Sequence, residues 1–360
     1  TASDGEGYFA NTTGSAFNMN LPAGSVGAIV AVKDYLNTFD NNNLTIVPNG
    51  TDKIGGTAGN YTLTTAGLSL TLVYVDAIRG WMDIHESTQT AEGGALICAS
   101  VSGACNTLVT VDTNYKVATF INPGNFTVNS GGGPLAKVDY MVVAGGGGGG
   151  TRYGGAGGAG GYRESKCSTT SGCWTASPIA TCVSLSVVPG AIAVTVGGGG
   201  AGSVTQASGG ASARGTQGDT STFSTISSAG GGGGSSESFC SGNPTVRDGG
   251  PGGSGGGASY FNAPDGGAQG GTGNTPTTNP AQGFDGGNGG PVSAYGAGGG
   301  GGATVAGGDG TPSLSGVGGA GATNTINGTP TARAGGGGGG GNQDGNPTGQ
   351  PGGTGGGGQG

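Results

Sequence analysis

The chain has 360 residues, of which 94 are glycine and only 32% are hydrophobic, and its formal net charge is −8. All but 15 of the glycines lie from Gly131 onward, so the second half cannot hold a conventional hydrophobic core. The 11 basic residues form no cluster, which argues against nucleic-acid binding. No apolar stretch approaches the roughly 18 residues that a membrane-spanning helix needs.

The first region, residues 1–90, is predicted to be an all-β domain. Alternation of apolar and polar residues predicts half-buried strands at 27–32, 44–47, 61–65 and 68–75. Turn-forming pairs such as Asn49-Gly50 separate these strands. The only plausible helix or long loop runs from Tyr35 to Asn43. His85 follows the last of these strands and is expected on the solvent side.

The second region, residues 91–134, is predicted to be a small β-connector. Strands are expected at 108–111 and 116–121, then a turn at 122–124 and a return strand at 126–128. Two later apolar runs, 137–144 and 191–196, both enter glycine tracts, and we expect these two runs to pair.

The third region, residues 135–360, consists of glycine runs separated by dissimilar segments. A glycine excess is typical of a flexible linker. Glycine is also the residue whose ordering costs most entropy, so a folded domain requires dense backbone hydrogen bonding. Threefold polyglycine helices can supply such bonds laterally, because they lack Cβ atoms and approach closely. Runs of similar length and varied intervening segments favour this ordered lattice over a linker.

Two stretches carry a resemblance to a known family: 137–144 followed by six glycines, and 154–163. They resemble the glycine-rich tip domain of bacteriophage tail fibres and tail-fibre adhesins, and the resemblance extends to the C-terminus. It implies a sandwich of polyglycine-II helices whose variable loops bind the bacterial surface, in a virion protein that acts outside the host cell. The order of segments around 44–55 and 68–81 is similar to β-domains of phage-fibre shafts. That similarity implies a homotrimer in contact with other virion proteins.

The expected fold is therefore all-β N-terminal domains plus a polyglycine-II helix sandwich, with essentially no α-helix. If the glycine runs alternate in direction, the segments 162–196, 235–248, 274–285, 303–306 and 322–334 share one end. That end would carry the candidate receptor-binding residues, which are Trp174, Phe239, Arg247, Phe284 and Arg333. The other end would collect Phe223, Tyr260, Phe261, Tyr295 and Asp344. Rigid aromatic anchors next to a closed cysteine loop favour the Trp174 end as the receptor face.

Six cysteines form an even number, which favours disulfides in an extracellular chain. Cys98 and Cys105 are expected to close one short loop, and Cys167 and Cys173 another. The remaining pair, Cys182 and Cys240, would meet at the end that holds Trp174. Zinc is the weaker alternative, because the chain contains no Cys-x-x-Cys pair.

The sequence indicates no enzyme, cofactor or metal site. The many Gly-x-Gly-x-x-Gly matches do not open a helix in a βαβ unit, so they do not indicate a dinucleotide site. The carboxylates Asp76, Asp83 and Glu86 are the residues on which glycoside cleavage would depend. The receptor is expected to be a glycan or an outer-membrane protein. A non-adhesive structural fibre or virion surface protein is the main alternative function, and a polysaccharide depolymerase is a lesser one.

Overall fold

A computed structural model describes most of the chain, and its two compact units are Thr1–Gly94 and Ala95–Gly360. The described residues are 1–87, 97–111, 115–130, 136–166, 174–204, 213–236, 244–260, 267–290, 295–341 and 348–360. Within these ranges the chain is all-β, apart from a single helical turn, α1 (Pro244–Arg247). Over the same ranges, no helix has the length and apolar character needed to cross a membrane.

The first unit contains two β-sheets. Its strands are β1 (Glu6–Ala10), β2 (Phe17–Asn20), β3 (Ile29–Asp34), β4 (Leu44–Val47), β5 (Lys53–Ile54), β6 (Thr57–Ala58), β7 (Tyr61–Leu63), β8 (Ser69–Asp76) and β9 (Gly80–Ser87). A six-stranded sheet has the order β1-β3-β8-β9-β5-β6, and a three-stranded sheet has the order β2-β4-β7. β1 and β3 are parallel, as are β2 and β4.

The two sheets contribute to one hydrophobic core. Alternate residues of β3 and β8 are buried, as expected for strands with one face against a core. Side chains of β4 and β7 complete the cluster. Trp81 is fully buried and packs edge-on against Tyr74, with ring centroids 5.5 Å apart. This arrangement explains why the alternating segments predicted strands correctly, including β4 with its exact bounds.

The segment 35–43 and His85 lie outside the alternating pattern from which the strands of this unit are predicted. Residues 35–43 form a loop, in which the amide of Asn42 donates to the carbonyl of Thr38 at 2.8 Å, so the long-loop alternative is correct. His85 was expected after a strand but lies within β9, opposite Thr71. A register shift next to Thr71 interrupts the regular pairing of β8 and β9. That irregularity hides the period-two pattern by which a strand is recognised.

The second unit begins with strands and ends with glycine segments. Its strands are β10 (Cys98–Val101), β11 (Thr107–Thr110), β12 (Lys116–Thr119), β13 (Gly124–Ser130), β14 (Lys137–Val138), β15 (Tyr140–Val143), β16 (Tyr162–Ser165), β17 (Leu185–Ser186), β18 (Gly190–Thr195), β19 (Ser221–Phe223), β20 (Ile226–Ser228), β21 (Ala322–Asn324) and β22 (Thr331–Arg333). A five-stranded sheet has the order β10-β13-β18-β19-β20. The other strands pair as β11-β12, β14-β17, β15-β16 and β21-β22.

The predicted pairing of 137–144 with 191–196 is wrong. β15 pairs with β16, whereas β18 pairs with β13 and β19. The reason is local, because β15 and β16 flank two glycine segments that fold back on each other and bring the strands together. The return strand expected at 126–128 lies in β13, which pairs with β10 and β18 rather than with the preceding β12.

The glycine-rich part consists of extended segments, each antiparallel to the next. These glycine segments are 144–150, 154–161, 197–203, 213–219, 229–236, 248–252, 254–260, 267–273, 282–290, 295–302, 306–310, 315–321, 334–341, 348–354 and 357–360. Their backbone amides donate to carbonyls of neighbouring segments. A polyglycine-II helix has the same property, since it makes no hydrogen bonds within itself.

Segment 144–150 shows the threefold symmetry of this helix. Residues 144, 147 and 150 bond to segment 154–161, residues 145 and 148 to segment 213–219, and residues 146 and 149 to segment 197–203. The N···O distances are 2.8 to 3.1 Å. Residues three apart thus face the same neighbour, which requires three residues per turn. The expected polyglycine-II helix sandwich is therefore the fold of this part of the chain.

Most glycines in these segments are sterically required. A Cβ atom added at Gly145, Gly147, Gly148 or Gly150 would lie 1.7 to 2.1 Å from a backbone oxygen of a neighbouring segment. No side chain can occupy that space, so any larger residue would force the segments apart. The close approach of the hydrogen-bonded segments consequently accounts for the glycine composition of this part of the chain.

The alternating segments define two ends of the bundle. At the sheet end lie β15, β16, β18, β19, β20, β21 and β22. At the loop end lie the turns 151–153 and 311–314, together with the residues that flank the sequence stretches 205–212, 237–243, 261–266, 291–294 and 342–347. The chain passes from β15 into its first glycine segment at the sheet end.

The predicted grouping of loops is partly wrong. Segment 213–219 runs antiparallel to 144–150, whereas 229–236 runs parallel to it, which places the described parts of 235–248, residues 235–236 and 244–248, at the loop end. Segment 213–219 is not recognisable as a glycine run, because it contains glycine only at positions 215 and 218. Those two positions are the ones where a Cβ would meet segment 144–150, at 2.1 and 2.2 Å from carbonyl oxygens. Glycine at every third residue is therefore sufficient for a lattice segment.

A second overlooked turn restores the later grouping. The run after α1 folds back between 248–252 and 254–260, since the amide of Gly256 donates to the carbonyl of Gly250 at 2.9 Å. The described parts of 162–196, 274–285, 303–306 and 322–334 accordingly share the sheet end, as expected.

Candidate functional site

Three tyrosines form a cluster at the loop end. Tyr153 lies in the turn 151–153, Tyr260 ends segment 254–260 and Tyr295 begins segment 295–302. Their ring centroids are 6.2 Å apart for Tyr153–Tyr260, 5.4 Å for Tyr153–Tyr295 and 4.6 Å for Tyr260–Tyr295. Tyr260 is buried, whereas 43% of Tyr295 is exposed. The tyrosine cluster thus presents a rigid aromatic surface at the end where the loops emerge.

The turn that carries Tyr153 has an unusual backbone. Arg152 and Tyr153 are consecutive left-handed residues, with φ of 50° and 49°. Each such residue costs about 1 kcal/mol or more when it is not glycine. The amide of Tyr260 donates to the carbonyl of Tyr153 at 3.2 Å and holds the turn in place. Sequence reasoning missed Tyr153, although an aromatic residue in a short break between two glycine runs is a usable signal.

Of the predicted receptor residues, Arg247 lies at the loop end. It ends α1 and is 8% exposed, and its Nε lies 3.8 Å from an Asp248 carboxylate oxygen. Tyr260 and Tyr295, assigned to the opposite group, are at this same end. Phe239, Phe261 and Asp344 lie outside the described residues.

Trp174, Phe284 and Arg333 lie at the sheet end instead. Trp174 is half-buried, its carbonyl accepts from Lys166 Nζ, and this ammonium lies 5.2 Å from the centroid of its ring. Phe284 is 40% exposed. Phe223, which was expected at the other end, is also here and packs edge-on against Phe126 with centroids 6.0 Å apart. The five predicted residues consequently do not form one surface.

Arg333 belongs to a buried polar network that joins β16 to β21 and β22. The hydroxyl of Tyr162 donates to Glu164 at 2.5 Å, and Asn324 donates to the Tyr162 oxygen at 2.9 Å. Arg333 in turn donates to Asn324 at 3.2 Å. Ser177 donates to Glu164 through both its amide and its hydroxyl. Through these contacts Arg333 has a structural role within the sheet end.

The network changes the pKa of Tyr162. Burial raises the pKa of Tyr162, and the hydrogen bond to Glu164 raises it further, because an ionised phenolate would lie in a desolvated site beside a carboxylate. Tyr162 is 1% exposed and remains a hydrogen-bond donor at neutral pH.

The expected Cys98–Cys105 disulfide is wrong, because both residues are free, exposed thiols. Cys98 begins β10, and Cys105 lies in the turn between β10 and β11. Cys182 is disulfide-bonded. Cys167, Cys173 and Cys240 lie outside the described residues, and so do the expected pairings that involve them. Cys182 is at the sheet end, and the residues flanking 237–243 are at the loop end, so the directions of the glycine segments do not support the expected Cys182–Cys240 pair.

Asp76 and Asp83 of the first unit are too far apart for a glycosidase pair. Asp76 caps the turn after β8 by accepting from the amides of Ile78 and Arg79 at 2.8 and 2.6 Å. Asp83 lies opposite Leu72, four residues from Asp76 along the ladder, or about 13 Å. Paired catalytic carboxyl groups are about 5 to 10 Å apart. The third residue, Glu86, lies in β9 opposite Leu70.

Comparison with known proteins identifies the larger part of the chain. No curated protein matches it. A family model described as a glycine-rich domain matches residues 118–360, which is well over half of the chain and includes every glycine segment. The chain therefore belongs to the glycine-rich domain family.

Proposed function

We propose that this protein is a phage tail-fibre protein or tail-fibre adhesin that recognises the host-cell surface through its loop end. The observation that carries this proposal is the segregation of the two ends. The strands that lead into the bundle occupy the sheet end, and the residues that flank five dissimilar sequence stretches lie at the opposite end, where a partly exposed aromatic cluster is found. A rigid scaffold that displays variable loops is the usual construction of a binding surface.

The loop end is a better candidate than the sheet end for physical reasons. Side chains at the sheet end, including Trp174 and Arg333, are engaged in contacts within the chain. At the loop end, Tyr295 offers an exposed ring that is already held by its neighbours, so little side-chain entropy is lost on binding. The receptor face is consequently proposed here, opposite to the end that sequence reasoning preferred.

A homotrimer that contacts other virion proteins is part of the same proposal. The first unit exposes large apolar side chains, among them Phe9 at 76%, Val26 at 79% and Ile78 at 74%. Association of copies would cover some of this surface. Light scattering coupled to size-exclusion chromatography tests this part, and a monomer at micromolar concentration would contradict it.

The test of recognition compares two exposed aromatic residues at opposite ends. Tyr295 and Phe284 are 43% and 40% exposed, so Tyr295→Ser and Phe284→Ser remove similar exposed rings. The labelled protein is first screened against a panel of bacterial strains, and both variants are then titrated on the strain that binds best. We expect Tyr295→Ser to weaken binding about tenfold or more, as for a central anchor, and Phe284→Ser to leave binding unchanged.

The other outcomes discriminate between the alternatives. Loss of binding in Phe284→Ser alone would return the receptor face to the sheet end. Absence of binding to every strain, with altered particle integrity when the loops are replaced, would favour the structural-fibre alternative.

A further inference from the structure

Two guanidinium groups at the loop end share one carboxylate. Arg247 Nε lies 3.8 Å from Oδ1 of Asp248, and the same oxygen accepts the amide of Gln269 at 2.9 Å. Arg214, at the start of segment 213–219, also interacts electrostatically with Asp248. Among the described residues, this corner of the bundle therefore has two guanidinium groups for one carboxylate, in a chain whose net charge is −8.

Arg214 is held in place by its backbone and by its stem. The carbonyl of Ala213 accepts from the hydroxyls of Ser203 and Ser236, and the amide of Gly215 donates to Gly234 at 2.9 Å. A Cβ added at Gly250 would lie 3.3 Å from Arg214 Cδ, so glycine at that position leaves room for the arginine stem. The backbone and the side-chain stem of Arg214 thus hold its guanidinium in place.

One donor of this guanidinium has no hydrogen-bond partner among the described residues. That donor is the Nε atom, which is covered from solvent. Burial lowers the pKa of Arg214, and the Asp248 carboxylate offsets part of that effect. An unpaired buried donor is costly, and more so when it is charged. A ligand that supplies an acceptor and a negative charge would remove this cost.

We propose that Arg214 binds an oxyanion, either a carboxylate or a phosphate group, carried by the ligand that the loop end recognises. A guanidinium offers parallel N–H donors that match both groups in a two-point contact. Arg247 adds positive charge, and Asp248 interacts with both guanidinium groups. The inference that this anion belongs to a host receptor rests on the proposed function. The inference that Arg214 binds an anion does not.

The site borders the tyrosine cluster. The amide of Ser259 donates to the carbonyl of Arg247 at 3.2 Å, and the next residue, Tyr260, donates to Tyr153. Consecutive residues of one segment therefore join the cationic corner to the aromatic rings. Arg247, which lies beside Asp248, is thus joined through Ser259 and Tyr260 to the tyrosine cluster.

The experiment follows the Nε–H resonance of Arg214 by NMR in the full chain. The probes are inorganic phosphate, galacturonate as the carboxylate and galactose as the uncharged control. We expect phosphate, galacturonate or both to shift this resonance saturably, and galactose to leave it unchanged. Whichever anion binds more tightly identifies the class of oxyanion. The absence of a saturable shift with either anion would overturn the proposal, and this measurement needs no variant.

Substitutions then assign the effect to the side chain. Arg214→Gln should weaken anion binding at least about tenfold, the scale of one lost charge-assisted hydrogen bond. Arg152→Gln, which removes an exposed arginine from the same end, is the matched control and should bind as the parent does. Equal binding by the parent and Arg214→Gln would also overturn the assignment.

Cell binding separates the two proposals. If cells bind and the Arg214 resonance does not respond to anions, the proposed function stands and the anion site is wrong. If the resonance responds and no strain binds, the anion site stands and the proposed function is wrong. Competition of cell binding by the active anion, lost in Arg214→Gln, would support both.

Discussion

Adjacent glycines in one segment should respond oppositely to the same substitution. A Cβ at Gly148 would lie 2.0 Å from the carbonyl oxygen of Ala201, whereas a Cβ at Gly149 would meet nothing within 4 Å. Neither glycine has a left-handed backbone, so alanine is compatible with the local conformation at both. Gly148→Ala and Gly149→Ala therefore differ only in what the added methyl group contacts.

The magnitudes follow from that difference. Alanine at 149 restricts the unfolded chain and should stabilise the protein by about 0.4 to 1 kcal/mol. Alanine at 148 gains the same term, but overpacking costs about 1 to 3 kcal/mol. It also strains the hydrogen bonds that Gly148 makes with Thr216 and Gly234, each worth about 1 kcal/mol. The net loss of about 1 to 4 kcal/mol lowers Tm by roughly 3 to 15 °C in a unit of this size.

Differential scanning calorimetry measures both variants beside the parent, and near-ultraviolet circular dichroism of the tyrosine cluster assigns the transition to the glycine-rich unit. Gly149→Ala should melt at or slightly above the parent temperature and Gly148→Ala well below it. Equal melting of the two variants would refute the claim that lattice contacts, rather than composition, require glycine.

Three further predictions concern other parts of the chain. Because the pKa of Tyr162 is raised in the folded state, the unfolded state loses this proton first, so the contribution of Tyr162 to stability is fully present below about pH 10 and falls as pH rises above it. Between pH 8 and 12 the melting temperature of Tyr162→Phe should fall less steeply than that of the parent, and an unchanged slope would contradict the assignment. Cys98 and Cys105 should react rapidly with a thiol reagent in the native protein, and mass mapping that finds them joined to each other would show the free thiols to be wrong. Leu44→Ala should destabilise the first unit by about 2 to 5 kcal/mol, since Leu44 is fully buried in its core; denaturation that leaves the first unit unaffected would disprove this.

Patterns set by local periodicity could be predicted from the sequence. β4 and β8 alternate regularly between buried and partly exposed residues, and their strands were found. β1 and β2 were missed because their residues are mostly exposed and do not alternate, and because each pairs in parallel with a strand distant in sequence. Those pairings depend on the tertiary structure rather than on a local signal.

The candidate site was predicted less well than the fold. Glycine runs predict the lattice, but segment 213–219 contains only two glycines and gives no such signal. Without that signal, Arg247 is predicted at the wrong end and apart from Tyr260. Side-chain contacts between segments far apart in sequence, such as those within the tyrosine cluster, cannot be read from local composition.

The antiparallel order of the glycine segments limits how this protein can change in length. Loss of a single segment such as 213–219 would reverse every later segment and send each subsequent connection to the opposite end. Gain or loss of two consecutive segments preserves all later directions and adds or removes one connection at each end. A connection at the loop end is held at both sides by separate segments, so its own length can vary at small entropic cost. The bundle can therefore grow in hairpin units, while the sequence of each connection diverges independently of the hydrogen-bonded interior.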